Sequence, residues 1–149
     1  MADQPMPTID QMLCFAVYSA GHAFTRYYKP RLDALDLTYP QYLVFLVLWE
    51  RDDLTVKALG DKLFLDSGTI TPLIKRLEAR GLVERRRDED DERQVRIRLT
   101  GEGRALKAKA QSIPLAVVQG SGLTLEGVDA LRRELMALRD RLDGMERGS

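Results

Sequence analysis

The stretch LTYPQYLVFLVLWE, residues 37–50, constrains the fold more than any other part of the chain. From Tyr42 to Trp49 it is apolar without interruption. Pro40 stands near its start, where a missing N–H costs a helix least. A helix apolar almost all round must be central and buried. It is far too short to span a bilayer, which takes about 20 apolar residues. The remaining segments must therefore cover it, and 149 residues suffice for one domain with a real core.

The covering segments are mostly helical. Residues 9–28 carry Ile9, Met12, Leu13, Ala16, Val17, Ala20, Phe24 and Tyr27 at helical spacing. Pro30 follows, so continuation through Leu32 and Leu35 implies a kink or a restart. TVKALGDKLFL turns Val56, Leu59 and Leu63 inward, and DSGTITPLIKRLEARG does the same with Ile70, Leu73, Ile74 and Leu77. Gly81 ends that helix. Pro72 is awkward if Asp66 caps the helix and harmless if regular helix begins nearer Thr69. LVERRR and QVRIRL then read as strands: Val95, Ile97 and Leu99 alternate with Gln94, Arg96 and Arg98. DEDDER between them is a charged hairpin tip. Thr100 opens a further helix to about Pro114 or beyond, and QGSGLT breaks the chain. Leu131, Leu135, Leu138, Leu142 and Met145, spaced four, three, four, three, form a seam for a partner helix or for packing on the chain's own domain.

The fold class is mainly α with a small β-hairpin wing. Two short helices and a two-stranded ribbon make a winged helix-turn-helix over about residues 40–100. The second helix can then enter a DNA major groove. Its inward face is used by the apolar set. The other offers Ser67, Gly68, Thr69, Thr71, Lys75 and Arg76. Small residues at its start allow close approach to phosphate, which a helix N-terminus attracts. In the wing, Arg86 and Arg93 are candidate DNA contacts within a basic set of Arg85, Arg87, Arg96 and Arg98. Five consecutive acids, Asp88 to Glu92, repel DNA unless they pair with arginines. Asp91 is the candidate support that aims Arg93 into a minor groove. Lysine plus arginine equal aspartate plus glutamate at 23 each, so net charge carries no argument for nucleic acid.

These segments, together with LCFAVYSA, YYKP, LTYPQYLVFLVLWE and LDSGTITPLIKRLE, resemble the MarR family of dimeric bacterial repressors, and more narrowly its organic-hydroperoxide-sensing, OhrR-like branch. The resemblance covers nearly the whole chain. It implies a homodimer built by helices at about 9–38 and 112–146, double-stranded operator DNA as partner and an organic hydroperoxide as inducer. It also implies a redox-sensing thiolate at Cys14, held by Tyr28 and Tyr39 of the other subunit. By itself, a lone cysteine on an apolar helix is an inert small hydrophobe. Tyr28 lies fourteen residues beyond Cys14, about 21 Å along an intact helix, so only a second chain brings the two together. Tyr18, Tyr27 and Tyr42 are read as structural. Phe15, Val17 and Phe45 are apolar residues that could favour organic peroxides.

Some relatives carry a second cysteine that resolves the oxidised one. This chain has none, so the oxidised Cys14 is left to a mixed disulfide with a low-molecular-weight thiol, to a sulfenamide or to overoxidation. No cofactor is expected, and a single histidine and a single cysteine do not make a protein metal cage. The segment MADQPMPTID lacks the features of a signal peptide, and the lone thiol fits a reducing compartment, so the cytoplasm is the expected location. Two other readings stay open: a repressor of the same family with a non-covalent phenolic or apolar ligand, and a thiol peroxidase, in which the winged helix has no use.

Overall fold

The computed structural model describes residues 4–147. Two compact units divide the chain, residues 1–111 and residues 112–149.

In the first unit, α1 (Leu13–Asp33) leads through a turn to α2 (Tyr39–Glu50). Thr38 caps α2 reciprocally with Gln41: the Gln41 N–H donates to the Thr38 hydroxyl and the Gln41 side-chain oxygen accepts from the Thr38 N–H. Pro40 falls in the first turn. Tyr42, Val44, Phe45, Val47 and Leu48 are buried, so the apolar helix is central, as its composition requires. It packs on α1, on α3 (Val56–Leu63), on α4 (Ser67–Ala79) and on α5 (Gly101–Ala110). Leu59, Ile70, Ile74 and Leu77 close the core from α3 and α4.

The sheet has three strands, β1 (Leu54–Thr55), β2 (Val83–Arg87) and β3 (Val95–Leu99), in the order β1-β3-β2 and all antiparallel. The wing is the β2–β3 hairpin, with Arg86 opposite Arg96 and Arg87 opposite Val95. The two-residue β1 has no periodicity to announce it and is set by its pairing, Leu54 with Ile97. Ile97 and Leu99 point into the core, in line with the alternation of β3.

Several boundaries differ from the sequence expectation. The first helix does not begin at Ile9. A single 3-10 turn, Ile9–Gln11, comes first, and the Gln11 side chain accepts from the Thr8 N–H at 2.9 Å. Extended backbone at Met12 separates it from α1. Helix α1 also runs through Pro30 rather than restarting, and the Arg31 side chain donates to the Tyr27 carbonyl at 3.0 Å beside the proline. Asp66 caps α4, accepting from the Thr69 N–H at 2.8 Å, so Pro72 lies in the second turn and deletes one helical bond. Gly81, at φ +73°, ends this helix as expected.

The helix expected from Thr100 to about Pro114 or beyond proves to be α5, in the first unit, and a separate α6 (Ile113–Ser121) in the second. Pro114 sits in the first turn of α6, a normal place for proline. Gly122, at φ +73°, ends α6 before α7 (Leu125–Arg147). Leu131, Leu135, Leu142 and Met145 of the α7 seam are exposed.

Gly103 allows the start of α5 to lie against the wing's base. A Cβ there would sit 2.2 Å from the Leu82 carbonyl oxygen, whereas one at Gly101 would meet nothing within 4 Å. The Gly103 carbonyl also accepts the Trp49 indole N–H at 3.0 Å. Gly103→Ala is expected to destabilise by about 2 kcal/mol or more, while Gly101→Ala is neutral within roughly 0.5 kcal/mol, as read by denaturant midpoints.

Candidate nucleic-acid interface and thiol site

Helix α4 buries Ile70, Leu73, Ile74 and Leu77 and leaves Ser67, Gly68, Thr69, Lys75 and Arg76 exposed, with Thr71 half-buried. A concave surface of about 500 Å³ lies between α3, the start of α4 and the wing. Ser67, Thr71 and Arg93 line it, and so do Lys57, Arg85 and Gln94. Lys57 was not anticipated. Its only signal is a cation on the exposed side of the short α3, opposite Leu59. Lys75 and Arg76 extend the exposed face of α4 but do not line this concavity. Arg86 does not line it either. Together with Arg87 it borders a second, smaller hollow, which Asp53, Asp88, Glu89 and Arg96 also line.

Asp88 and Asp91 at the wing tip are occupied. Asp91 accepts from Arg93 Nε at 3.1 Å and from the Arg93 backbone N–H at 3.1 Å. The Arg93 side chain nevertheless stays 90% exposed. Asp88 accepts from the N–H groups of Asp90 and Asp91 and from Arg96. These bonds, the Asp90 N–H first, hold its carboxyl below the usual range. Arg85 pairs with Glu78 at 3.0 Å and Arg98 with Glu84 at 3.6 Å. Asp88 and Asp91 of the acidic run, with Glu78 and Glu84 outside it, therefore hold arginines in place.

Cys14 is exposed and stands second in α1. Met12 supplies no side-chain cap, so the first-turn N–H groups of this helix have no capping side chain. Helix starts of this kind favour negative charge. The sequence reading, which began the helix four residues earlier, missed this. Leu13, Val17, Tyr18 and Phe24 are exposed along the same helix. Phe45 is fully buried and stacked on Trp49 at 5.3 Å, so it belongs to the core and not to the surroundings of an exposed thiol.

Tyr28 and Tyr39 come together at the other end of α1, with ring centroids 4.9 Å apart. Tyr42 joins them, 5.6 Å from Tyr28 and 6.4 Å from Tyr39. Tyr27 turns away and carries Arg31 over its ring at 4.3 Å. Burial, and after it the neighbouring Tyr39 and Tyr42, push the Tyr28 phenol up to about 12. Burial raises Tyr39 and Tyr42 as well. All three therefore remain protonated at neutral pH, able to donate.

The same architecture occurs in proteins of known class. The family of transcriptional regulators SarA/Rot matches residues 26–110. Over 140 residues the chain is 55% identical to the HTH-type transcriptional regulator TtmR of Methylorubrum extorquens (strain PA1), covering 94% of this chain and 71% of that protein. It is 46% identical over 134 residues to the organic hydroperoxide resistance transcriptional regulator of Bacillus subtilis (strain 168), covering 90% and 91%. Among solved structures, reduced AbfR bound to DNA, a protein of Staphylococcus epidermidis, matches with a TM-score of 0.75 at 35% identity over 89% of this chain and 91% of that one. The chain belongs to the MarR-type winged-helix transcriptional regulators. Its similarities lie in the OhrR-like branch of that family.

In this MarR-type chain the raised phenols tie stability to alkaline pH. The unfolded chain ionises its tyrosines near 10, while folded Tyr28 holds its proton to about 12. Stability is thus full below 10 and is lost as pH rises toward 12. Near-ultraviolet phenolate titration should find the last tyrosine to ionise missing in Tyr28→Phe, and the pH-dependent loss of stability correspondingly reduced. An unchanged titration curve would contradict the burial argument.

Proposed function

We propose that this protein is a redox-sensing transcriptional repressor acting in the cytoplasm. Its reduced homodimer binds operator DNA and is released when an organic hydroperoxide oxidises Cys14. The observation that carries the reading is the pairing of a winged helix with its polar face open and a lone, exposed thiol at a helix start, in a chain 46% identical to an organic hydroperoxide resistance regulator.

On DNA, α4 enters the major groove with Ser67, Gly68, Thr69 and Thr71 nearest the duplex, while Lys75 and Arg76 neutralise phosphate. Arg93, held by Asp91, reaches a minor groove. Arg86, which borders the neighbouring hollow, adds a flanking phosphate contact. Two α4 helices in a symmetric dimer read half-sites about 34–36 Å apart. The dimer is supported by exposed apolar residues on α1 and α7, among them Leu13 at 63%, Leu142 at 59% and Met145 at 75%. Helices at about 9–38 and 112–146 would make it.

In an antiparallel crossing of two α1 helices, Tyr28 and Tyr39 of one subunit meet Cys14 of the other. Their protonated hydroxyls donate to the thiolate. The thiolate attacks the terminal oxygen of the hydroperoxide and the O–O bond breaks. Sulfur gains OH as a sulfenic acid, and the alkoxide leaves and is protonated to the alcohol. Sulfur is oxidised and the peroxide reduced. The acceptor of the tyrosine bonds has changed, and the two reading helices lose their spacing. With one cysteine in the chain, onward chemistry within a subunit cannot form a disulfide, and a low-molecular-weight thiol resolves the sulfenic acid as a mixed disulfide.

The test is operator binding at fixed salt by native protein and Cys14→Ser, with and without cumene hydroperoxide, followed by thiol reduction. Native protein should dissociate and recover on reduction while the variant stays bound throughout. Equal release of both proteins would move the sensor away from Cys14 and favour a non-covalent ligand.

A further inference from the structure

Arg96 sits on β3 directly across from Arg86, an arrangement of like charges that destabilises a ribbon. Yet Arg96 makes the densest set of bonds in the wing. Its Nε donates to Asp53 Oδ1 at 2.9 Å, its Nη2 to the Asp53 carbonyl at 2.6 Å and its Nη1 to Asp88 Oδ2 at 3.0 Å. All three guanidinium nitrogens are thus engaged, with two carboxylates around one cation. Three of its five N–H donors are held within the protein.

The two anchors differ in kind. Asp53 belongs to the turn between α2 and β1 and has left-handed backbone at φ +59°, so it is part of the body of the fold. Asp88 opens the hairpin tip. Its other oxygen, Oδ1, accepts from the N–H groups of Asp90 at 2.8 Å and Asp91 at 3.1 Å. Asp91 in turn holds Arg93. A continuous chain of bonds therefore runs from Asp53 through Arg96, Asp88 and Asp91 to Arg93.

We propose that Arg96 is a positioning residue for DNA recognition, fastening the wing tip to the α2–β1 turn through Asp53 and Asp88 so that Arg93 is presented to the duplex. This rests on the reading of the chain as an operator-binding protein. Arg96 touches no DNA itself and acts only through Arg93. A lysine could not replace it, since one ammonium cannot reproduce the planar three-way fork.

The test is a double-mutant cycle on DNA affinity, with a duplex selected by the native dimer from a random-sequence library and binding measured over a range of salt. Arg96→Met keeps the side-chain stem and removes the fork. It is expected to weaken binding about tenfold, comparable to Arg93→Ala, and to lower the salt slope by about 1 as one cationic contact in the minor groove is lost. Arg96→Lys should recover little of this. The doubly substituted protein should bind no more weakly than Arg93→Ala alone. Additive losses would overturn the proposal and make Arg96 an independent contact, and unchanged binding by Arg96→Met would overturn it outright. If Arg96→Met fails to fold, Asp88→Asn breaks the same chain one bond further on and must show the same non-additivity with Arg93→Ala. Failure of the native protein to select any duplex would instead remove the operator-binding reading on which the proposal stands.

Discussion

A twelve-residue helix with hardly a polar side chain is stable in water only when other elements enclose it, and α2 imposes that requirement on the first unit. Helices α1, α3, α4 and α5 each lie against it. The direction of α4 follows. Ile70, Leu73, Ile74 and Leu77 must face the core, which turns Ser67, Thr69, Lys75 and Arg76 outward. The reading face is thus a by-product of hydrophobic burial. Its chemistry is free to vary as long as the apolar stripe is kept. Gly103 and Trp49 lock the same core to the base of the wing.

Electrostatics then divide the wing. With equal numbers of acids and bases in the whole chain, attraction to DNA depends on where charge is uncompensated. Arg85, Arg96 and Arg98 are matched by acids, whereas the Arg93 side chain is 90% exposed although Asp91 fixes its inner edge. A flexible arginine would lose rotamer freedom on binding, and a pre-held one loses less. The acids next to the DNA face therefore trade some attraction for order.

Much of this was legible in the sequence because it follows from periodicity and short-range chemistry. The apolar stripe of α4, the alternation of β3 and the stop at Gly81 are local facts. The T-x-x-Q pattern from Thr8 to Gln11 is also local but was overlooked, which hid the position of Cys14 in the first turn of α1, and spacing alone left Asp66 and a start nearer Thr69 both open for α4. What was not legible depends on contacts between distant residues. Strand β1 exists through pairing with Ile97, and Arg96 is a latch only because Asp53 lies 43 residues away in sequence and beside it in space. Arg86 lies opposite Arg96 in the ribbon and borders the hollow beside Asp53 and Asp88, a placement set by strand pairing rather than by local spacing.

The same packing bears on how a thiol event could reach DNA. Tyr39 is the first residue of α2, and Asp36, three residues before it, receives the side chain of Arg80 at the end of α4 through both its carbonyl and its carboxylate. Asp36 is itself in left-handed backbone, so this turn has a defined shape rather than a loose one. A displacement of the Tyr28 and Tyr39 phenols thus has a short route to the reading helix, through one turn and one guanidinium. Close-packed interiors move as blocks rather than deform smoothly. In the proposed dimer, a shift at the phenols would then pass to α4 as a unit, and symmetry would repeat it at the second half-site.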